Sequence, residues 1–308
     1  MVRLMIARAG QLVIYLTCLT VVVFGLTRLS GDPLVLLLPP NATQQDYDQL
    51  ARRMGLDRPL VEQYVVFARD LLHGDIGRSY KWGVPASRLL LERLPATLEL
   101  AAAAMGIATV LGMSAGVIAA IRPDSMVDAV FAGLALVGQS IPVFWLGLML
   151  ILVFAVKWPV LPVGGRGGLA HLVLPAITLS WYSTAVVSRV TRSSMIDVLH
   201  SDYVKLARIK GVPERVVVLR HALRNALVPI VTVSSLEFAI LLSGAVVTET
   251  VFAWPGVGSL VVEAVLAKDY PVIEAAVLLV SAVFFTVNFF TDLLCNLIDP
   301  RLAAGRTP

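Results

Sequence analysis

Charge is scarce in this sequence: of 308 residues only 15% are Asp, Glu, Lys or Arg. Soluble domains carry about 25%, so the chain lacks the polar surface to cover itself in water. It has two cysteines, Cys18 and Cys295, and both lie in or at the edge of apolar runs, which speaks against a disulfide framework or a thiolate metal site. Histidine is also sparse, four in all, and His171, His200 and His221 lack metal-ligand spacing. The dipeptide Gly-Lys occurs nowhere, so the phosphate-cradling loop Gly-x-x-x-x-Gly-Lys-Ser/Thr cannot form and any ATP is handled by another chain. There is no internal repeat and no low-complexity tract.

What the sequence has instead is 57% hydrophobic residues and a mean hydropathy of +0.82, gathered into six runs. Arg8 to Arg28 encloses 19 uncharged residues, Glu99 to Arg122 encloses 22, Asp128 to Lys157 encloses 28 and Arg166 to Arg189 another 22. Arg224 to Glu249 encloses 24, broken only by Glu237, and Glu274 to Asp292 encloses 17. A membrane-crossing helix needs about 20 apolar residues, within about 17–25, whereas core helices of soluble proteins average about 11–12. The expected fold is therefore all-α and membrane-integral. Its first transmembrane helix lies in 1–29, and a core of five more occupies 95–298, at 97–121, 129–156, 172–190, 226–248 and 275–294. Pro142 predicts a kink in the third span.

Six spans put both termini on one side. Lys and Arg number 13 on that side against 3 on the other, leaving out nine in the long segment from Arg28 to Arg93, to which the positive-inside rule does not extend. The termini and the 299–308 tail are expected in the cytoplasm. The pI near 9.2 then reflects topology and requires no nucleic acid. Thr27-Arg28-Leu29-Ser30 is a poor signal-peptidase site, so the first run reads as an uncleaved helix.

Two polar segments interrupt the runs. Residues 30–94 carry eight basic and eight acidic residues and read as a small extracytoplasmic element with a short amphipathic helix over Val61 to Leu72. The second, Thr191 to Arg224, is basic and cytoplasmic. Within it Ser201 or Asp202 can cap a helix start, Arg208 and Lys210 suit its negative end, and Gly211 followed by Pro213 stops it. A separate helix over 202–211 results, with Tyr203, Leu206, Ala207 and Lys210 on one face. Two readings fit: a helix lying on anionic headgroups, or a docking knob for a cytoplasmic partner.

Those residues resemble the coupling loop of binding-protein-dependent ABC importer permeases, whose motif runs Glu-Ala-Ala, three residues, then Gly. Ala207 and Gly211 match, while Lys205 stands where the acid would be. The longer run Arg220-His221-Ala222-Leu223-Arg224-Asn225-Ala226-Leu227-Val228-Pro229 is similar to the dipeptide, oligopeptide and nickel subfamily. So, in order, are Gly31-Asp32-Pro33, Gly55-Leu56-Asp57-Arg58-Pro59-Leu60, Gly74-Asp75-Ile76-Gly77, Leu94-Pro95-Ala96-Thr97-Leu98-Glu99-Leu100, Glu249 to Gly258, Asp269-Tyr270-Pro271 and Asp299-Pro300-Arg301. The nearest likeness is to the first permease subunit of dipeptide importers.

The resemblance implies a type I ABC importer permease in a bacterial inner membrane. It further implies a second related permease, two cytoplasmic ATPases that hold ATP and magnesium, and an extracytoplasmic binding protein. This chain itself would be non-catalytic and hold no cofactor. Asp202, Tyr203, Lys205, Leu206, Ala207, Arg208, Lys210 and Gly211 would couple to the ATPase. Substrates in the subfamily include dipeptides, oligopeptides, haem and nickel complexes.

A carboxylate in mid-span is costly and faces protein or a wet cavity. Glu237 accordingly lines a path, pairs with a neighbouring chain, or lies near an interface. Gln139, Ser140, Ser234, Ser235 and Ser243 either line the same path or serve helix packing. Glu249, Phe252, Trp254 and Pro255 form an extracytoplasmic gate or dock, or else Trp254 simply anchors a helix end at the interface. A secondary transporter would show repeats and paired broken helices, and a membrane enzyme would need a nucleophile–base pair. Neither pattern is present in the sequence.

Overall fold

The computed structural model describes residues 2–29, 31–39 and 41–298; Asp299, Pro300, Arg301 and the rest of the expected tail lie outside the described residues. Regular structure among them is helical, with a single isolated bridge between Arg78 and Pro85. In chain order the helices are α1 (Val2–Leu29), α2 (Leu34–Leu37), α3 (Gln44–Met54), α4 (Leu60–Leu72), α5 (Ala86–Ile121), α6 (Met126–Ser140) and α7 (Val143–Ile151), which runs into a π-helical stretch, Leu152–Lys157. They continue with α8 (Leu169–Leu199), α9 (Asp202–Ile209), α10 (Glu214–Val216) with a second π stretch, Val217–Ala222, then α11 (Leu223–Val251), α12 (Val257–Leu266) and α13 (Tyr270–Ile298).

Among the described residues four helices are long and apolar enough to cross a membrane: Ala86–Ile121, Leu169–Leu199, Glu214–Leu242 and Tyr270–Thr291. Counting the bent pair Met126–Ser140 and Val143–Lys157 as one span makes five. Only 28% to 50% of each apolar window is buried within the chain, so much of this greasy surface has no protein cover and requires lipid or partners. The expected kink at Pro142 is a break: the two helices meet at 98°. Ile141 is held extended (φ −82°, ψ 123°) because the proline ring excludes the helical region for the residue before it. One broken helix is therefore present, and the third run is not a single tilted rod.

Several boundaries move relative to the sequence reading. α5 begins at Ala86, nine residues before Pro95, which lies inside the helix; α8 begins at Leu169. The chain divides into two compact units, 1–96 with 256–285 and 97–255 with 286–308. Residues 30–94 fall in the first unit, where buried carboxylates tie them to its later segment. Asp269 accepts from Ser79 Oγ (2.5 Å), Tyr80 N (3.0 Å) and Lys81 N (3.2 Å). Glu274 accepts from Thr27 Oγ1 (2.8 Å) and pairs with Arg28 (3.3 Å), whose Nε donates to Gln63 Oε1 at 3.0 Å. α3 starts on a capping box in which Thr43 and Asp46 bond each other's backbone, and it stops on left-handed Gly55.

In the second unit α5 crosses α8 closely. A Cβ on Gly116 would lie 2.5 Å from both Ser188 O and Thr191 Cβ, and one on Gly112 would lie 2.9 Å from Thr184 O. The spacing Gly112-x-x-x-Gly116 presents one small stripe to the facing backbone, the arrangement that lets membrane helices approach. The start of α6 is fastened to α8 by a bidentate pair: Arg192 Nε and Nη2 each lie 2.5 Å from Asp128, which is buried.

Candidate functional site

The segment joining α8 to α11 is built around one buried side chain. Val204, at 0% exposure, packs with Met195, Leu199, Val217, Val218 and Ala222, so α9 is pinned to the ends of its flanking helices. Its stop is a two-bond C-cap: Gly211 N donates to Arg208 O (2.9 Å) and Val212 N to Ala207 O (3.2 Å), with Gly211 at φ +76°. Its start differs from the expected cap. The Ser201 side chain makes no capping bond; its hydroxyl donates backward to Val198 O, and Asp202 accepts from Lys205 Nζ at 2.9 Å. Extended Ser201 backbone turns the chain without help from a side-chain acceptor.

The outward face of α9 is apolar on a charged background. Leu206 is 50% exposed and Ile209 81%, with half-exposed Tyr203 beside them. Ala207, expected on this face, is half-buried against the core around Val204, because it follows that anchor by three residues and points the same way. Ile209 is the face residue that the sequence reading missed, although its spacing of three from Leu206 marks it. Lys205 and Lys210 stand exposed at the rim.

Two clamps hold the knob to the helices on its C-terminal side. Arg208 Nη2 and Nε donate to the Glu214 carboxylate at 2.7 and 3.2 Å. That bond raises the Arg208 guanidinium further above its already high pKa, so its charge is fixed throughout the neutral range. Asn225 Nδ2 donates to Tyr203 Oη (2.9 Å) and to His221 O (2.7 Å), linking α9 to the first turn of α11. These bonds and the core around Val204 together hold α9 against the ends of α8 and α11.

The residues expected along a path sit in different surroundings. Glu237 is buried and accepts from Ser183 Oγ of α8 at 2.7 Å, an intrachain partner that none of the expected arrangements included. Ser140 is exposed and donates to Leu136 O; Ser235 donates to Val231 O; Gln139 is half-buried. The Ser234 hydroxyl is buried with no bonding partner among the described residues, and the Ser243 side chain lies outside what the structure describes.

The expected gate is also more enclosed than its sequence suggests. Trp254 is 1% exposed, so it is no interfacial anchor, and Phe252 and Glu249 are equally covered. Glu249 accepts from Thr97 Oγ1 of α5 at 2.6 Å, its carbonyl accepts from Trp254 N at 2.8 Å, and Gly165 N donates to Phe252 O at 2.8 Å. Gly164 has to be glycine here, since a Cβ would sit 2.2 Å from Phe252 O. Pro255 is half-buried. No group of three or more His, Cys, Asp or Glu gathers as a metal site among the described residues.

A short pinned helix between two long apolar ones, with Ala207 on it and Gly211 just after its end, lies inside a stretch matching a known family model. Residues 112–304 match the binding-protein-dependent transport system inner membrane component. The chain belongs to this family. It is a multi-pass membrane permease with the type I ABC importer permease fold. Among relatives, it is 36% identical to the dipeptide transport system permease protein DppB of Escherichia coli K12, over 98% of this chain and 99% of that one. It is 38% identical to the di/tripeptide transport system permease protein DppB of Pseudomonas aeruginosa, over 97% and 98%. A probable peptide ABC transporter permease of Sinorhizobium fredii is 41% identical over 91% and 92%. Among solved structures, a chain of the inward-facing MetNI methionine ABC transporter aligns with a TM-score of 0.59 at 17% identity, covering 69% of this chain and 97% of that one. An amino acid ABC transporter aligns at 0.50 and 16% identity, over 70% and 94%.

Proposed function

We propose that this permease forms one half of the translocation path of an ATP-driven importer of dipeptides and short oligopeptides. Its path opens alternately inward and outward as a separate ATPase moves α9. The observation that carries the proposal is the exposed apolar face Tyr203–Leu206–Ile209 on a helix pinned by Val204. An ATPase can bias only states that it contacts differently, and a rigid knob attached to two spanning helices provides such a contact. The peptide substrate rests on what the relatives are named for transporting.

In this reading α1, α5, the broken pair α6–α7, α8, α11 and α13 make six spans, with both termini and α9 in the cytoplasm and residues 30–94 outside. The partners are a second related permease, two ATPases that bind ATP and magnesium, and an extracytoplasmic binding protein, in a bacterial inner membrane. The buried turn Glu249–Pro255 fits a gate that opens only with rearrangement of its packing. Glu237 and Ser183 fit the wall of the path.

Sidedness tests the architecture on which coupling depends. In a variant free of native cysteines, Asp46→Cys is expected to react with a membrane-impermeant maleimide on intact cells, and Lys205→Cys only after permeabilisation. Labelling of both from outside would place α9 beyond the reach of any cytoplasmic ATPase and end the proposal.

A further inference from the structure

The groove between α1 and α13 at the level of Tyr270 has a chemistry that import does not use. It is a cavity of about 280 Å³ whose lining includes Val23, Leu26, Ile273 and Val277. Its polar groups are already engaged, with one exception. The Thr27 hydroxyl bonds Phe24 O and Glu274, and the Tyr270 hydroxyl donates to Gly31 O. Lys268 makes no side-chain hydrogen bond or ion pair among the described residues, although it lines the same cavity.

The backbone brings that ammonium there. Lys268 follows α12 in a left-handed conformation, φ +49°, which costs a non-glycine residue energy. Its Nζ lies where a Cβ on Gly31 would come within 2.8 Å, and Gly31 itself is at φ +115°, so the glycine leaves the space that the ammonium occupies. From Tyr270 to Val277 the groove runs about 10 Å along α13 at 1.5 Å per residue. Exposed Val265 adds to its apolar lining. One unpaired cation at the mouth of an apolar slot is complementary to one anion carried on an aliphatic chain.

We propose that this groove binds an anionic bilayer phospholipid, with its phosphate on Lys268 and the first acyl segment along Leu26 and Val277. This rests on the reading of α1 and α13 as spans, where Lys268 falls at the boundary between headgroups and acyl chains. A Lys beside anionic lipid is worth about 1 kcal/mol, about fivefold in affinity. The test is native mass spectrometry of the purified full chain in detergent with equimolar dioleoyl phosphatidylglycerol and dioleoyl phosphatidylcholine. Wild type is expected to retain phosphatidylglycerol preferentially, and Lys268→Gln to retain about fivefold less. Lys268→Arg should match wild type, while Val277→Trp should lose the lipid by filling the slot with the ammonium intact. Equal retention of both lipids by wild type, undiminished retention by Lys268→Gln or Val277→Trp, or displacement by inorganic phosphate alone would each overturn the proposal. The measurement needs neither peptide nor ATPase, so its failure leaves the import reading standing, and a failure of import leaves this result interpretable.

Discussion

Leu206→Asp is expected to abolish peptide-stimulated ATP hydrolysis and peptide uptake by the assembled importer, while the chain inserts at wild-type abundance. Leu206 is half exposed and contributes nothing to the core around Val204, so the substitution costs the isolated fold little. At the proposed contact with the ATPase it would replace an apolar anchor by a carboxylate. Truncating such an anchor costs about 2 kcal/mol or more, about thirtyfold in the population of the coupled state, and an unpaired buried charge adds to that. Gly211→Val tests the same knob from its end. A Cβ there meets open space, so the effect is purely of backbone: about 1–2 kcal/mol for a left-handed conformation that a β-branched residue resists. Ala207→Arg is less clean, because Ala207 also packs against the chain's own core. Wild-type coupling in Leu206→Asp and Gly211→Val together would mean that α9 lies on lipid and does not drive the spans.

The second large effect is on folding. Gly116→Ala is expected to lower the thermal unfolding midpoint of the purified chain sharply and to reduce its abundance in membranes. Its new methyl would lie 2.5 Å from a backbone carbonyl and from Thr191 Cβ, neither of which is the free end of a flexible side chain. Relief requires α5 and α8 to separate along their crossing, and overpacking of this kind costs about 1–3 kcal/mol even where neighbours can adjust. Gly112→Ala, with its contacts at 2.9 Å, should do less harm, and Gly106→Ala, with nothing within 4 Å, should be neutral or mildly stabilising. Equal midpoints for Gly116→Ala and Gly106→Ala would contradict the close crossing.

The long apolar helices and α9 are legible in the sequence because charges and Gly or Pro delimit them. Arg122, Arg166 and Arg189 flank runs too long for anything but spans, and Gly211 with Pro213 marks the end of α9. What is not legible depends on partners far along the chain. Thr97 meets Glu249 across 152 positions, Ser79 meets Asp269 across 190, and Thr27 meets Glu274 across 247. These pairings bury carboxylates that look solvated in the sequence. For the same reason the 30–94 segment folds with α1 and residues 256–285, and no local pattern announces it. Trp254 misleads in the same way: an aromatic beside Pro and Gly reads as an interface anchor, yet the turn folds inward and buries it. The clamp between Arg208 and Glu214 is within reach of the sequence, since opposite charges flank the Gly211 turn at close spacing. Pro95 suggests a helix start, where proline is common, but tertiary packing in the first unit carries the helix nine residues further back.

Everything proposed for α9 and the spans comes down to one claim: this chain passes peptide across a membrane at the expense of ATP bound elsewhere. The most direct measurement is uptake of a radiolabelled dipeptide into proteoliposomes containing the chain together with the second permease, two ATPases and binding protein proposed for it. ATP-dependent accumulation is predicted for the full set, falling to the level of empty vesicles when this chain is omitted. The chain alone, lacking any phosphate loop, is predicted to hydrolyse no ATP. Dipeptide accumulation that persists without the chain, or that proceeds in its presence without ATP, would contradict the claim.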